Sequence, residues 1–349
     1  MEAIKVGVIG CGYWGPNLIR NLVDISQAEV VGVSDLRESR LNHIRNLYPR
    51  IFTTQNYKDL FSLNLDAVVV ATPPATHYAI AKECMENGLN VLIEKPITTN
   101  SADAQELVDL AARKDLTLMV GHTFEYNPAV RALKELIDQG EIGQVYYMNS
   151  IRVNLGLFQR DLNVLWDLAP HDLSIFLYLL GMRPISVSAQ GNDSVFKGIH
   201  DLVYLNLVFP NEVFAHIHVS WLDPCKVRRT TVVGSKKMVV YDDVEVNEKI
   251  KVYDKGVDTP EYTDTFSEFQ CSYRSGDILI PNIRFVEPLR MECQHFLDSI
   301  QNHTEPQSSG IVGLEVVKIL EAAQRSLMNG AEQEAIEWPQ QILTASLPM

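Results

Sequence analysis

The first 120 residues alternate short apolar runs with helix-like stretches, and this alternation restricts the fold more than any other feature of the chain. The runs lie at 4–9, 30–34, 67–71, 91–93 and 117–120 and are rich in Val and Ile. Nearly unbroken apolar runs of this length suit strands buried on both faces of a parallel sheet. Helix-like stretches fall between them, around 16–24, 36–46, 74–87 and 102–114. Strand-helix-strand order predicts a doubly wound α/β domain over residues 1–122.

From 123 to 349 the order changes. Asn127-Pro128 predicts a helix start, with Asn as cap and Pro in the first turn, and the helix runs to about 139. Strands then follow one another at 145–154, 185–189, 202–209, 213–221, 226–233, 237–241 and 250–253, with one helix near 170–180 among them. Helical patterns at 288–302 and 310–328 come last. Consecutive strands predict an α+β domain with a large, mostly antiparallel open sheet. Helices covering one side of such a sheet leave the other side to bury, so a homodimer or homotetramer is expected. A single-chain mass by light scattering would exclude it.

Gly10-Cys11-Gly12-Tyr13-Trp14-Gly15 has the spacing G-x-G-x-x-G, directly after the first strand and before a helix. In that setting the first glycine permits a tight turn, the second lets a pyrophosphate approach the backbone, and the third lets helix and strand pack closely. The turn predicts a Rossmann dinucleotide site at Gly10, Gly12, Tyr13, Trp14 and Gly15, with the helix N-terminus facing the diphosphate. Asp35 ends the second strand, where a carboxylate accepts hydrogen bonds from ribose hydroxyls and repels a 2′-phosphate. NAD is therefore the expected cofactor, with NADP second because Arg37 stands close by. A structural glycine turn is the alternative.

Ala71-Thr72-Pro73-Pro74-Ala75-Thr76-His77 follows another strand, at the carboxyl edge where ligands sit in open α/β sheets. Ala71, Thr72, Pro73, Thr76 and His77 are thus cofactor-contact candidates, although a plain strand-to-helix turn with His77 on the surface fits as well. Glu94-Lys95-Pro96 ends the apolar run at 91–93. Burial makes a lysine usable in proton transfer, but an ion pair at a strand end is the simpler reading of these three residues alone. In Trp166-Asp167-Leu168-Ala169-Pro170-His171-Asp172, proline is tolerated only in the first turn of a helix. Asp167 is therefore expected at or before the helix start and His171 within its first turn. Their four-residue spacing can bring a carboxylate beside an imidazole and raise its basicity, or Asp167 merely caps the helix.

The stretches GCGYWGPN at 10–17, EKP at 94–96 and DLAPHD at 167–172, in this order, resemble the Gfo/Idh/MocA oxidoreductases, named for glucose–fructose oxidoreductase, inositol dehydrogenase and a rhizopine-catabolism protein. HTFEYNPAVRALKELIDQGEIGQV at 122–145 extends the likeness over essentially the whole chain. The resemblance implies that Lys95, Asp167 and His171 are catalytic, with Glu94, Lys95 and Pro96 beside the nicotinamide. Two departures bear on the substrate pocket. Leu162-Asn163-Val164-Leu165-Trp166 stands where many members have a glycine run, and Ala169 replaces a frequent glycine.

Arg152 and Asn154 share one strand face, as do Lys226 and Arg228. Arg160, Asp161 and Asn163 form a polar loop before Trp166. These cations could hold a diphosphate, or pair with local acids. With the resemblance to the nucleotide-sugar branch of the family, Arg152, Asn154, Arg160, Asn163, Trp166, Lys226 and Arg228 become the substrate-site candidates. The expected reaction is NAD-dependent oxidation of a secondary hydroxyl, at C3, of a nucleotide-linked sugar such as UDP-N-acetylglucosamine or its uronate. A dehydrogenase of free sugars or inositols, or a non-catalytic NAD-binding sensor, are the alternatives.

The formal charge of −14 offers no general attraction for nucleic acid or anionic lipid. No apolar run reaches 18 residues, so no membrane span is expected. The opening Met1-Glu2-Ala3-Ile4-Lys5-Val6 lacks a leader profile, and the five scattered cysteines form no C-x-x-C pair. Both point to a reduced, cytoplasmic protein. His216 and His218 share a strand face, but nothing is placed to complete a metal site and none is expected.

Overall fold

The apolar runs of the first 120 residues form a parallel sheet because none of them can afford a wet face. In the computed structural model, which describes residues 3–258 and 271–338, the five runs are the strands β1 (Ile4–Ile9), β2 (Ala28–Ser34), β4 (Ala67–Val70), β5 (Asn90–Glu94) and β6 (Leu118–Gly121), and a short strand β3 (Phe52–Thr54) joins them at one edge. Their helices are α1 (Gly15–Val23), α2 (Glu38–Leu47), α3 (His77–Glu86) and α4 (Ser101–Lys114). The sheet order is β3-β2-β1-β4-β5-β6, with every pair parallel. The order reverses between β1 and β4, and a crevice for a ligand opens at the carboxyl ends of such a pair. The three-residue edge strand β3 is too short to show as a periodic pattern.

The remaining elements are α5 (Pro128–Asp138), β7 (Val145–Val153), α6 (Val164–Leu180), β8 (Ser186–Asn192), β9 (Leu202–Val208), β10 (Phe214–Ser220), β11 (Val227–Gly234), β12 (Met238–Asp242), β13 (Ile250–Asp258), β14 (Ser272–Leu279), α7 (Pro288–Asn302), α8 (Gly310–Met328) and β15 (Glu334–Ala335). Their strands pair in the order β14-β13-β12-β11-β7-β10-β9-β8-β15, antiparallel except for β7 with β10. The strands at 272–279 and 334–335 are additions to the expected set.

Cuts after Tyr126, Phe285 and Glu321 divide the chain into two compact units. The sequence reading places all of 123–349 in the second domain. The described chain differs, because α7 and the start of α8 belong with the parallel sheet. The reason is apolar: Leu289, Cys293, Phe296 and Leu297 of α7 join Val6, Ile19, Leu22 and Tyr126 in one buried core.

In the second unit, alternation along the strands separates two faces. Met148 and Ser150 of β7, Leu205 of β9 and Ile217 of β10 are buried on the side that α6 covers. Tyr147, Tyr204 and Phe214 stay exposed on the other side. His216 and His218 lie on that side too. Tyr204 stacks 4.4 Å from the ring of His218 and 5.8 Å from that of His216, whose Nδ1 lies 2.9 Å from Asn206 Oδ1. Among the described residues no helix is long and apolar enough to cross a membrane.

Candidate active site

The glycine turn has the shape that a dinucleotide requires. Gly10 sits at φ +101°, and a Cβ there would fall 2.5 Å from Ala71 O. A Cβ on Gly15 would fall 2.1 Å from Gly10 O, so neither position takes a side chain. Gly12, by contrast, faces open space, which leaves its backbone approachable by a diphosphate. Tyr13 and Trp14 are exposed beside it, in edge-to-face contact at 5.4 Å, and Pro16 opens α1. Asp35 accepts hydrogen bonds from Cys11 N at 2.7 Å and Arg37 N at 2.8 Å. Burial pushes the Asp35 carboxyl up, but these N–H groups and the Arg37 side chain outweigh it and hold the group below the usual carboxylate range. Its ionised oxygens keep lone pairs for ribose hydroxyls, and their charge opposes a 2′-phosphate. The residues present therefore fit NAD.

The next two loops are tied together by His77. It is fully buried, which excludes the surface reading. Its Nδ1 lies 2.8 Å from Pro96 O and its Nε2 2.7 Å from Thr72 O. Burial lowers its pKa, and a neutral ring carries one N–H, so it donates to one carbonyl at a time. His77 thus positions the segments holding Thr72-Pro73 and Lys95-Pro96 and offers no ring nitrogen to a cofactor. Thr76 Oγ1 donates to Pro73 O at 2.8 Å, and Ala71 N to Ile9 O at 2.8 Å. The Lys95–Pro96 bond is cis.

Behind Lys95 lie further ionisable residues, of which the buried Glu292 has no place in the sequence reading. Glu292 is fully buried on α7 and accepts from Thr123 Oγ1 at 2.8 Å. Burial first, then the charges of Glu94 and Glu125, hold its carboxyl well above the usual range. His122 is 1% exposed, and neither ring nitrogen meets a hydrogen-bonding partner among the described residues. Burial and the charge of Lys95 push its pKa down to about 3. Glu94 accepts from Lys95 N at 3.3 Å, and burial raises it to about 7 despite the lysine.

That shift has a stability consequence. A carboxyl with a raised pKa keeps its proton in the folded chain after the unfolded chain has lost its own. Stability therefore falls as pH rises from the ordinary value of 4.5 to about 7, by up to about 3 kcal/mol. Glu94→Gln is expected to flatten this slope and to melt higher than the parent at pH 8. Parallel melting-temperature curves from pH 5 to 8 would contradict it.

The other predicted catalytic residues stand on α6, which corrects the expected helix start. The helix begins at Val164, and Pro170 lies inside it. The missing proline N–H leaves the Trp166 carbonyl without its helical partner. The extra turn persists because Asn163 Oδ1 accepts from Trp166 N at 3.2 Å and because Val164, Leu165 and Trp166 are buried. Asp167 is therefore in the first turn and His171 one turn on, on the same side of the helix. Trp221, which the sequence reading counts only as the end of a strand, donates from Nε1 to Asp167 Oδ2 at 3.0 Å.

Several substrate-site candidates are engaged otherwise. Arg152 is 4% exposed and grips Asp172, with Nε to Oδ2 at 2.7 Å and a terminal nitrogen to Oδ1 at 3.1 Å. It is a buried internal ion pair, not an exposed cation, because its strand face is the one that α6 covers. Asn163 is used up as the helix cap and as donor to Gln324 Oε1 at 2.9 Å. Trp166 is buried. Arg228 stands opposite Arg152 across the β7–β11 pair and lies 3.5 Å from Asp243. Lys226 precedes β11 and is exposed, as is Arg160, while Asn154 is half-buried.

Two family models match the chain. Residues 4–122 match an oxidoreductase family with an NAD-binding Rossmann fold, and residues 130–240 match the GFO/IDH/MocA C-terminal domain. The chain is 27% identical over 321 residues to the UDP-N-acetylglucosamine 3-dehydrogenase of Acidithiobacillus ferrooxidans, covering 91% of this chain and 95% of that one. It is 25% identical over 346 residues to the myo-inositol 2-dehydrogenase of Thermotoga maritima, covering 93% and 96%. The solved structure of the Acidithiobacillus enzyme superimposes with a TM-score of 0.78 at 24% identity, over 95% of this chain and all of that one. With the glycine turn and Asp35 set at the strand crossover as NAD requires, the chain belongs to the Gfo/Idh/MocA family of oxidoreductases.

Proposed function

We propose that the protein oxidises a secondary hydroxyl, at C3, of a nucleotide-linked sugar, with UDP-N-acetylglucosamine or its uronate as substrate. The observation that carries this reading is the likeness, along nine-tenths of the chain, to a UDP-N-acetylglucosamine 3-dehydrogenase. His171 takes the hydroxyl proton, with Asp167 orienting it and Trp221 fixing Asp167. Lys95 hydrogen-bonds the carbinol oxygen and offsets the negative charge that grows there as the C–H bond gives up its electron pair. Exchange of the two roles, with Lys95 as base, gives the same products. NAD, when bound, supplies the two-electron acceptor. The exposed face of the nine-stranded sheet is the surface through which the chain pairs with a second copy in this reading.

The likeness to a myo-inositol 2-dehydrogenase favours a second reading, oxidation of a free sugar or inositol. A substrate screen decides. UDP-N-acetylglucosamine or its uronate is expected to reduce NAD and to protect the protein from heat, with NADP a poorer acceptor. Free polyols at equal concentration are expected to do neither. Turnover of inositols in preference to sugar nucleotides would overturn the first reading, and turnover of neither class would leave an NAD-binding sensor.

A further inference from the structure

One aromatic patch in the second unit, with Phe196 exposed and Phe158 half-buried, is not used by the chemistry above. It is built from two loops tied to the elements that carry Asp167. The loop after β7 is stitched to the end of β10, with Asn154 N donating to Ser220 O at 3.3 Å and Gly156 N to Trp221 O at 2.9 Å. A Cβ on Gly156 would lie 2.9 Å from Trp221 Cδ1, so the loop lies directly on the indole. This sets the Phe158 ring 5.6 Å from Trp221, whose Nε1 holds Asp167.

The second loop, after β8, presents Phe196. Ile199 N donates to Phe196 O at 3.0 Å, and Val164 N, at the start of α6, donates to His200 O at 2.9 Å. Asp201 Oδ2 accepts from Val195 N at 2.8 Å, and Asp193 Oδ2 accepts from Gly198 N at 2.8 Å. The turn is thus fixed before any ligand arrives. Phe196 meets Phe158 edge-on at 6.2 Å, and the Arg160 guanidinium lies over the Phe196 ring at 5.6 Å. Arg160 is exposed and makes no ion pair among the described residues, in a chain of net charge −14. Leu157, 87% exposed, extends the apolar surface.

Apolar groups gathered on a fixed frame and rimmed by polar ones are suited to hold a ligand. An aromatic ring offers a stacking face to a nucleobase, and an arginine suits a phosphate. We propose that Phe158 and Phe196, with Arg160 across the ring, seat the nucleoside diphosphate of a sugar-nucleotide substrate, the base stacking on the rings and the guanidinium holding the diphosphate. The inference rests on the sugar-nucleotide reading and names the residues that impose it. It also places the diphosphate cation at Arg160, not at the buried Arg152.

The test is calorimetric binding of UDP, dTDP and uridine to the NAD-loaded protein, which is independent of turnover. The parent is expected to bind UDP or dTDP, and Phe196→Ala and Phe158→Ala each to weaken that binding about tenfold. Arg160→Ala is expected to weaken diphosphate binding about tenfold while leaving uridine unchanged, with Arg160→Lys between the two. An unchanged urea-unfolding midpoint by tryptophan fluorescence, read from the unit that holds Trp166, Trp221 and Trp338, shows that all four variants are folded. In turnover, KM for the sugar nucleotide rises in all four variants, while kcat stays within about twofold in Phe196→Ala and the two Arg160 variants. Failure of the parent to bind either diphosphate, or unchanged binding in the variants, would overturn the proposal, as would loss of self-association in them with diphosphate binding intact. The two readings fail separately. Oxidation of UDP-N-acetylglucosamine with normal KM in the variants sinks the platform alone, whereas ring-dependent UDP binding without sugar-nucleotide oxidation sinks the reaction alone.

Discussion

Asp172→Ala is expected to lower the stability of the second unit by about 3–5 kcal/mol. Asp172 is 1% exposed, and its two oxygens accept from the Arg152 guanidinium and, at 2.7 Å, from Ser150 Oγ. Removing it leaves a guanidinium buried without its main counter-charge, beside Arg228 on the neighbouring strand. Uncompensated burial of that kind costs more than the pair itself contributes. The double variant Arg152→Met, Asp172→Leu is therefore expected to recover most of the loss, since neither charge then needs a partner. Urea unfolding followed by tryptophan fluorescence reports on this unit, which holds Trp166, Trp221 and Trp338. A loss under about 1 kcal/mol for Asp172→Ala, or no recovery in the double variant, would contradict the argument. The pair also has a bearing on chemistry, because it pins α6 at the residue after His171.

His171→Ala and Lys95→Ala are each expected to lower kcat by about 10²- to 10⁴-fold, the range for loss of a positioned proton acceptor or of a charge stabiliser. A sugar hydroxyl does not ionise unaided near neutral pH, so hydride cannot leave its carbon without a group to take the proton. Imidazole is the side chain best matched to that task near pH 7. NAD affinity, measured by quenching of protein fluorescence, is expected to change little in His171→Ala. The turnover measurement needs the substrate found by the screen. Undiminished kcat in both variants would remove the assigned roles.

What could be read from sequence follows from how local each determinant is. The parallel sheet was legible because Val6, Val8, Val68 and Val69 need burial on both faces wherever they fold. The glycine turn was legible because its sterics lie within six residues of chain. The start of α6 lies earlier than the sequence implies because the cost of Pro170 is local, whereas the burial of Val164, Leu165 and Trp166 that outweighs it is tertiary. Arg152 and Asp172 looked unrelated because their pairing needs β7 beneath α6. Glu292 carried a faint signal: it sits three residues after Leu289 and four before Phe296, on the apolar stripe of α7, where a carboxylate has no surface reason to be. Trp221 carried none, since its indole N–H gains meaning only once Asp167 is placed.

The seam between Tyr126 and Val286 has a consequence for biosynthesis. The nucleotide-binding unit is written in two separate passages of the gene product, and its core lacks Leu289, Cys293 and Phe296 until the later passage is translated. The first 126 residues thus leave the ribosome with an unsealed apolar flank, of the kind that chaperones shield and that aggregates if left alone. The passage between the two carries every strand of the second sheet but β15, which follows α8, so that sheet too waits on the last part of the chain for one of its edges. Neither unit is therefore whole until the final helices have been made, and the two are finished together.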